Sequence, residues 1–277
     1  MLVNLNEVLV PARAAGYTVG AFNIYSLETI EAVYRAAVDL DTPVIFAFGE
    51  QYIDVANIKI IAAMVREMAG RTTLPMVLHL DHCKSVDVIY QAVQAGFSSV
   101  MFDGSKLPFA ENLARTKEVV RFAHAVGVTV EAELGSVPFG HTETVVPEEY
   151  LTKVDEAVKF VAETGVDALA VAIGTAHGEY KGKPKIYHDR LEEIAAQVSI
   201  PLVLHGGSGV PDEDILKAVS MGVAKINVNT QISAAAVKKI KEICAKEKPG
   251  HLSDMLHEAQ VVMVEEVKGF VRLFRGI

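Results

Sequence analysis

Asp81, His82 and Cys83 close the apolar run 75–80, so a segment that reads as a buried strand ends on a carboxylate and an imidazole. His177 follows the apolar stretch 172–176. His205 follows residues 201–204 and stands directly before Gly206, Gly207, Ser208 and Gly209. Three imidazoles at strand ends can hold a zinc ion and leave positions open for substrate oxygens. Three unrelated histidines near helix N-termini would give the same pattern, and spacing alone leaves both readings standing.

Further carboxylates gather at the same rim. Asp103 ends the run 100–102, and Glu131 and Glu133 lie within residues 130–134. Carboxylates in an apolar strand are costly unless paired or bound to metal. They read as groups that orient ligating imidazoles or that offer a second metal position. His79 shares a strand face with Asp81 and reads as a buried group behind the ligands. Residues 206–209 and 225–230 bring glycines, Lys225 and a helix start to the positions after the seventh and eighth strands, where barrels bind phosphate. Lys181, in a polar loop, could add a charge or simply be solvated. His124, His188, His251 and His257 read as solvent or packing residues, and His141 as a loop residue able to face the site.

Positioning these groups takes eight repeats of strand, short loop and helix. A short amphipathic helix over 4–15 precedes a strand at 18–23, and Ser26 caps a helix running to about residue 40. Strands at 43–48, 76–80, 99–102, 128–134, 168–173, 202–204 and 224–228 follow. Their helices lie at 57–69, 85–95, 109–126, 153–164, 188–197, 212–221 and 230–246. Strands rich in Val, Ile, Leu and Ala without alternation fit a parallel sheet buried on both faces, and Gly70, Gly96, Gly127, Gly165 and Gly222 punctuate the helix ends. The expected class is α/β, a (β/α)8 TIM barrel with extra N- and C-terminal helices, the last over 252–275, forming one domain of residues 1–277. An open doubly wound sheet would need a Gly-x-Gly-x-x-Gly turn after the first strand, and the sequence has none there. The loops 135–152 and 174–187 exceed the usual connection length and read as lids or ligand contacts.

The 277 residues are 51% hydrophobic with a mean hydropathy of +0.28, enough for a large core. A formal charge of -9 and a pI near 5.5 argue against nucleic acid or an anionic membrane as the main partner. The start lacks a basic segment followed by an apolar core, and no apolar run approaches the ~18 residues of a membrane-spanning helix, which predicts a cytoplasmic protein. Cys83 and Cys244 show no paired spacing, so no disulfide framework is expected.

Taken together, Phe22-Asn23, Leu80-Asp81-His82, Asp103-Gly104-Ser105, Glu131-Ala132-Glu133-Leu134-Gly135, His177-Gly178, His205-Gly206-Gly207-Ser208-Gly209 and Lys225-Ile226-Asn227 resemble the class II, metal-dependent ketose-bisphosphate aldolases. The similarity runs in order along the chain to Arg272-Leu273-Phe274, and is greatest to the fructose- and tagatose-bisphosphate types. The resemblance implies that His82, His177 and His205 hold a catalytic zinc and that Asp81 is the acid/base group. It implies that Gly178, Gly206, Gly207, Ser208, Asn227 and Thr230 bind dihydroxyacetone phosphate, helped by a monovalent cation (Na+ or K+); Asn23 and Lys181 join them as expected substrate contacts. Asp103 and Glu133 match carboxylates that hold a second metal or a displaced zinc. The implied partner is a sugar phosphate, and the implied assembly a homodimer or homotetramer.

The chain departs from that pattern in the acceptor half. The loop after strand five carries Glu143, with His141 behind it, as the expected exchanger of the C3 proton, at altered spacing. Gly49 replaces a small hydroxyl after strand two, and the adjacent Glu50 is expected to repel a second phosphate. Gln231 replaces a common acidic residue. A metal-dependent sugar-phosphate epimerase is the competing enzyme reading, but it calls for two carboxylate ligands and paired acid/base aspartates. The non-enzymatic alternative is an aldolase-like accessory subunit, which loss of a zinc ligand would support; none is lost.

Overall fold

Eight parallel strands close on one another in sequence order in a computed structural model that describes residues 1–138, 145–246 and 250–277. They are β1 (Val19–Asn23), β2 (Val44–Gly49), β3 (Met76–Cys83), β4 (Ser99–Phe102), β5 (Thr129–Leu134), β6 (Ala168–Val171), β7 (Leu202–Leu204) and β8 (Val223–Val228). The ring is completed by β1 on β8, with Ala21 opposite Asn227. Nearly every strand residue is buried, as the unbroken Val/Ile/Leu/Ala runs require of a sheet covered on both faces. The α/β barrel expected from the sequence is thus the observed fold.

Each strand is followed by a helix that covers its outer face: α2 (Leu27–Asp39), α3 (Ile58–Ala69), α4 (Val86–Ala95), α5 (Phe109–His124), α6 (Val154–Thr164), α7 (His188–Gln197), α8 (Asp212–Ser220) and α9 (Thr230–Cys244). Before β1 comes α1 (Leu5–Ala15), fixed by a reciprocal cap in which Asn4 Oδ1 accepts from Glu7 N and Glu7 Oε1 accepts from Asn4 N. Leu5, Val8, Leu9 and Ala12 of α1 pack with Ala21, Ala47, Ala168 and Ala170, so α1 plugs one end of the barrel. Small strand residues leave room for the larger helical ones. Truncating fully buried Leu9 to Ala would cost about 2–5 kcal/mol. The last helix, α10 (Leu252–Arg275), packs along α2 and α9 and accepts from Thr18 N at Phe274 O (3.1 Å).

Two strands end elsewhere than the hydrophobic runs indicate. β3 continues past Leu80 to Cys83, and its pairing with β4 slips between Leu80 and Cys83. β6 stops at Val171, so His177 stands out on a loop rather than at a strand end. At Ala172 the ladder weakens, its N–H shared between Thr152 Oγ1 (2.8 Å) and Leu134 O (3.4 Å), and Gly174 then adopts φ 104, after which His177 N is fixed on Pro138 O at 2.9 Å. Among the described residues, no helix is long and apolar enough to cross a membrane.

Candidate active site

The site is built outward from β3. Asp81 lies on the same inward face as Val77 and His79 and is 2% exposed. Its Oδ2 accepts from Asn23 Nδ2 at 3.1 Å and its Oδ1 from Asn227 Nδ2 at 2.9 Å, so the carboxylate is held from both sides. Burial works against its charge, yet His82, Lys225 and His205 hold the carboxyl well below the usual range.

Strand alternation would turn the next residue away from the barrel mouth. His82 instead has φ 48, in the left-handed region that costs a residue with a Cβ about 1–2 kcal/mol. The turn brings its ring back to the rim, with Nδ1 3.1 Å from Asp103 Oδ2 and 3.7 Å from Glu133 Oε2. Asp103 is oriented in turn by Ser105, whose N and Oγ both donate to Oδ1. Burial depresses the His82 pKa, but Asp81, Asp103 and Glu133 outweigh it and raise it to about 9. Glu133, buried beside Asp103, is raised to about 8, and burial lowers His177 to about 3.

His205, fully buried just past β7, presents Nε2 to Glu131 Oε1 at 2.9 Å and Nδ1 to His82 Nε2 at 2.6 Å. The carboxylate behind each ring keeps a proton on the nitrogen facing it. His205 Nδ1 and His82 Nε2, which face one another, are therefore the nitrogens through which these rings meet each other or a metal ion. Ligand atoms of His82, His177 and His205 all lie within 4.8 Å of one another, as do those of His82, Asp103 and Glu133. Two imidazoles on one tetrahedral zinc place their nitrogens about 3.3 Å apart, inside this range. Neutral imidazoles at His177 and His205, a His82 ring whose Nε2 ligates once metal displaces its proton, and a carboxylate behind two of the rings form a donor set that fits a zinc ion.

Beneath the rim, Lys225 does not reach the phosphate segment where the sequence had placed it. A slip between β7 and β8 turns it into the barrel, where its fully buried ammonium pairs with Glu131. Its shared parity with Asn227 carried that signal. His79 lies in the same layer, with Nδ1 2.8 Å from Ser99 Oγ and Nε2 3.7 Å from Glu131 Oε2.

Gly178, Gly206, Ser208, Asn227 and Thr230 line a cavity of about 360 Å³ together with Asn23, Asp81, His82, Asp103 and His177. Gly206, at φ 71, passes so close to the 172–178 loop that a Cβ would sit 2.4 Å from Ala176 O. Tyr180 OH ties the two loops, accepting from Ala176 N at 2.8 Å and lying 3.1 Å from Gly206 O. Nothing in the sequence marked this tyrosine. Thr230 opens α9, whose first turn points Gln231 N at Ser208 Oγ (3.4 Å). Gly207 donates its own N–H to Asn227 O, so it shapes the turn instead of offering a donor. Lys181 is exposed and lines a neighbouring cleft with Gly178, Ser208 and Thr230. Gln231 turns its amide to Glu266 on α10.

Glu50 has a structural role beyond the one expected of it. Its carboxylate is engaged by the protein: Oε1 accepts from Ser85 N at 3.1 Å and from Cys83 Sγ at 3.4 Å, and Oε2 accepts from Lys84 N at 3.1 Å. Glu50 also lines the cavity that holds Asp81, His82 and His177, so its charge still faces the acceptor half. Glu143 and His141 lie outside the described residues.

A family model described as fructose-bisphosphate aldolase class-II matches residues 3–276. The fructose-bisphosphate aldolase of Staphylococcus aureus is 39% identical, over 99% of this chain and 97% of that protein. The sulfofructosephosphate aldolase of Alkalicoccus urumqiensis is 38% identical, over 95% and 93%. The crystal structure of the YdjI aldolase from Escherichia coli superposes with a TM-score of 0.88 at 34% identity, covering 99% of this chain and 97% of that one.

Proposed function

Since the chain belongs to the fructose-bisphosphate aldolase class-II family and is a lyase acting by retro-aldol cleavage, we propose that its substrate is a ketose phosphate cleaved reversibly to dihydroxyacetone phosphate and an aldehyde. The observation that carries this is the convergence of His82, His177 and His205 beside an Asp81 carboxylate held by two asparagines.

His82, His177 and His205 would hold zinc, the general cofactor of the family. When bound there, it supplies a Lewis acid that stabilises negative charge developing on the ketose carbonyl oxygen and the adjacent hydroxyl. Asp81 accepts the C4 hydroxyl proton as the C3–C4 bond breaks and returns it in condensation. Its ionised state suits it to accept, and the amides of Asn23 and Asn227 keep both lone-pair faces directed. Gly178, Gly206, Ser208 and Thr230 receive the phosphate at the start of α9, where N–H groups and the helix dipole favour an anion. A monovalent cation beside that phosphate, Glu143 as carrier of the C3 proton, and a cytoplasmic homodimer or homotetramer complete the reading.

The test is exchange of the C3 proton of dihydroxyacetone phosphate in D2O, followed by NMR with zinc present and after chelation. The expected result is exchange that disappears on chelation and returns with zinc. A zinc-loaded protein that exchanges nothing would overturn the donor assignment. An aldehyde screen then identifies the acceptor.

A further inference from the structure

We propose that Glu50 is a positioning residue for the ligating end of β3: its carboxylate locks the turn over residues 82–85, so that His82 keeps the backbone that aims its ring at His177 and His205. The inference rests on the reading of His82 as a metal ligand.

Three observations carry it. Alternation along β3 would send His82 to the face opposite Asp81, and only its left-handed φ of 48 brings both to the rim. A conformation disfavoured for a residue with a Cβ persists when its surroundings over-determine it. Those surroundings are found at Glu50, where one side chain gathers the N–H groups of Lys84 and Ser85 and the thiol of Cys83, the three residues that follow His82. From the other side, Asp103 N donates to Cys83 O at 2.7 Å, and His82 N faces Met101 Sδ at 3.3 Å. Glu50 opens the 3-10 turn immediately after β2, the strand paired with β3, so the lock is anchored in the barrel itself.

The experiment measures zinc affinity by competition with a chromophoric chelator, without substrate, for the wild type, Glu50→Ala, Glu50→Gln and Ser85→Ala. Glu50→Ala should bind zinc about 10–100-fold more weakly, the range seen when groups supporting a ligand are removed. Glu50→Gln should fall between, because its amide keeps one acceptor oxygen and sets an NH2 against the remaining N–H. Cobalt(II) spectra of both variants should depart from the wild type. Ser85→Ala removes only the side-chain cap on Val88 N and should keep wild-type affinity. Equal zinc affinity in the wild type and a folded Glu50 variant would overturn the proposal, as would a loss in Ser85→Ala matching that in Glu50→Ala. If Glu50→Ala fails to fold, Glu50→Gln decides. A wild type that binds no zinc would overturn the aldolase reading, and this inference with it.

Discussion

The ammonium of Lys225 and the carboxylate of Glu131 meet inside the barrel with neither exposed, Nζ lying 3.0 Å from one oxygen and 2.9 Å from the other. Because Oε1 also faces His205 Nε2, this pair is the foundation on which a proposed ligand stands. Lys225→Met should destabilise the fold by about 3–5 kcal/mol, because it strands a buried carboxylate. Adding Glu131→Gln should recover much of that loss. Urea unfolding of the two variants measures both, and equal stabilities for the single and double variants would contradict the argument.

His205→Ala should abolish zinc binding and turnover together, since the site would retain two of its three proposed imidazoles. Metal content after dialysis and the cleavage rate give the answer. A variant keeping both would remove His205 from the ligand set.

Asp81→Ala leaves the three imidazoles in place, so it should retain zinc while cleavage falls about 10²–10⁴-fold. Asn23→Ala and Asn227→Ala each remove one of the two amides on that carboxylate and should cause smaller losses in kcat. Unchanged turnover in Asp81→Ala would move the proton-transfer role elsewhere.

Stability in acid should carry a signature of His79. Burial and the Lys225 charge lower its pKa from 6.5 to about 4. The unfolded chain therefore takes up the proton first. The contribution is fully present above pH 6.5 and declines as pH falls toward 4, and the loss, complete below both values, is on the order of 3 kcal/mol. In metal-free protein, the stability difference between wild type and His79→Gln should shift in favour of the variant over that window. A difference independent of pH would show that His79 does not titrate there.

The barrel was legible because each strand is an apolar run without alternation, and the helix boundaries were read to within a residue or two along most of the chain. His82, His177, His205 and Asp103 were legible as polar residues terminating or following such runs. What the runs could not convey was backbone direction. Nothing in the order of Leu80, Asp81 and His82 announces a left-handed turn, and the partners of Glu50 are mostly main-chain N–H groups, which have no letter in a sequence. The clasp on Asp81 was hidden for another reason: it joins Asn23 and Asn227 to Asp81 through the register of strand pairing at ring closure. Lys225 was grouped with the phosphate segment because residues 225–230 run into the start of α9, although its parity with Asn227 pointed it inward.

Asn23 and Asn227 come from the strands whose pairing shuts the ring, which bears on how the protein acquires its chemistry in time. Asp81 gains its second amide only when β8 docks on β1, a contact of high sequence separation that pays its loop-closure entropy late. A partly folded chain can bring histidines near one another without a directed base beside them. Competence should then emerge in one step with the last strand, and a refolding assay should show activity lagging helix formation.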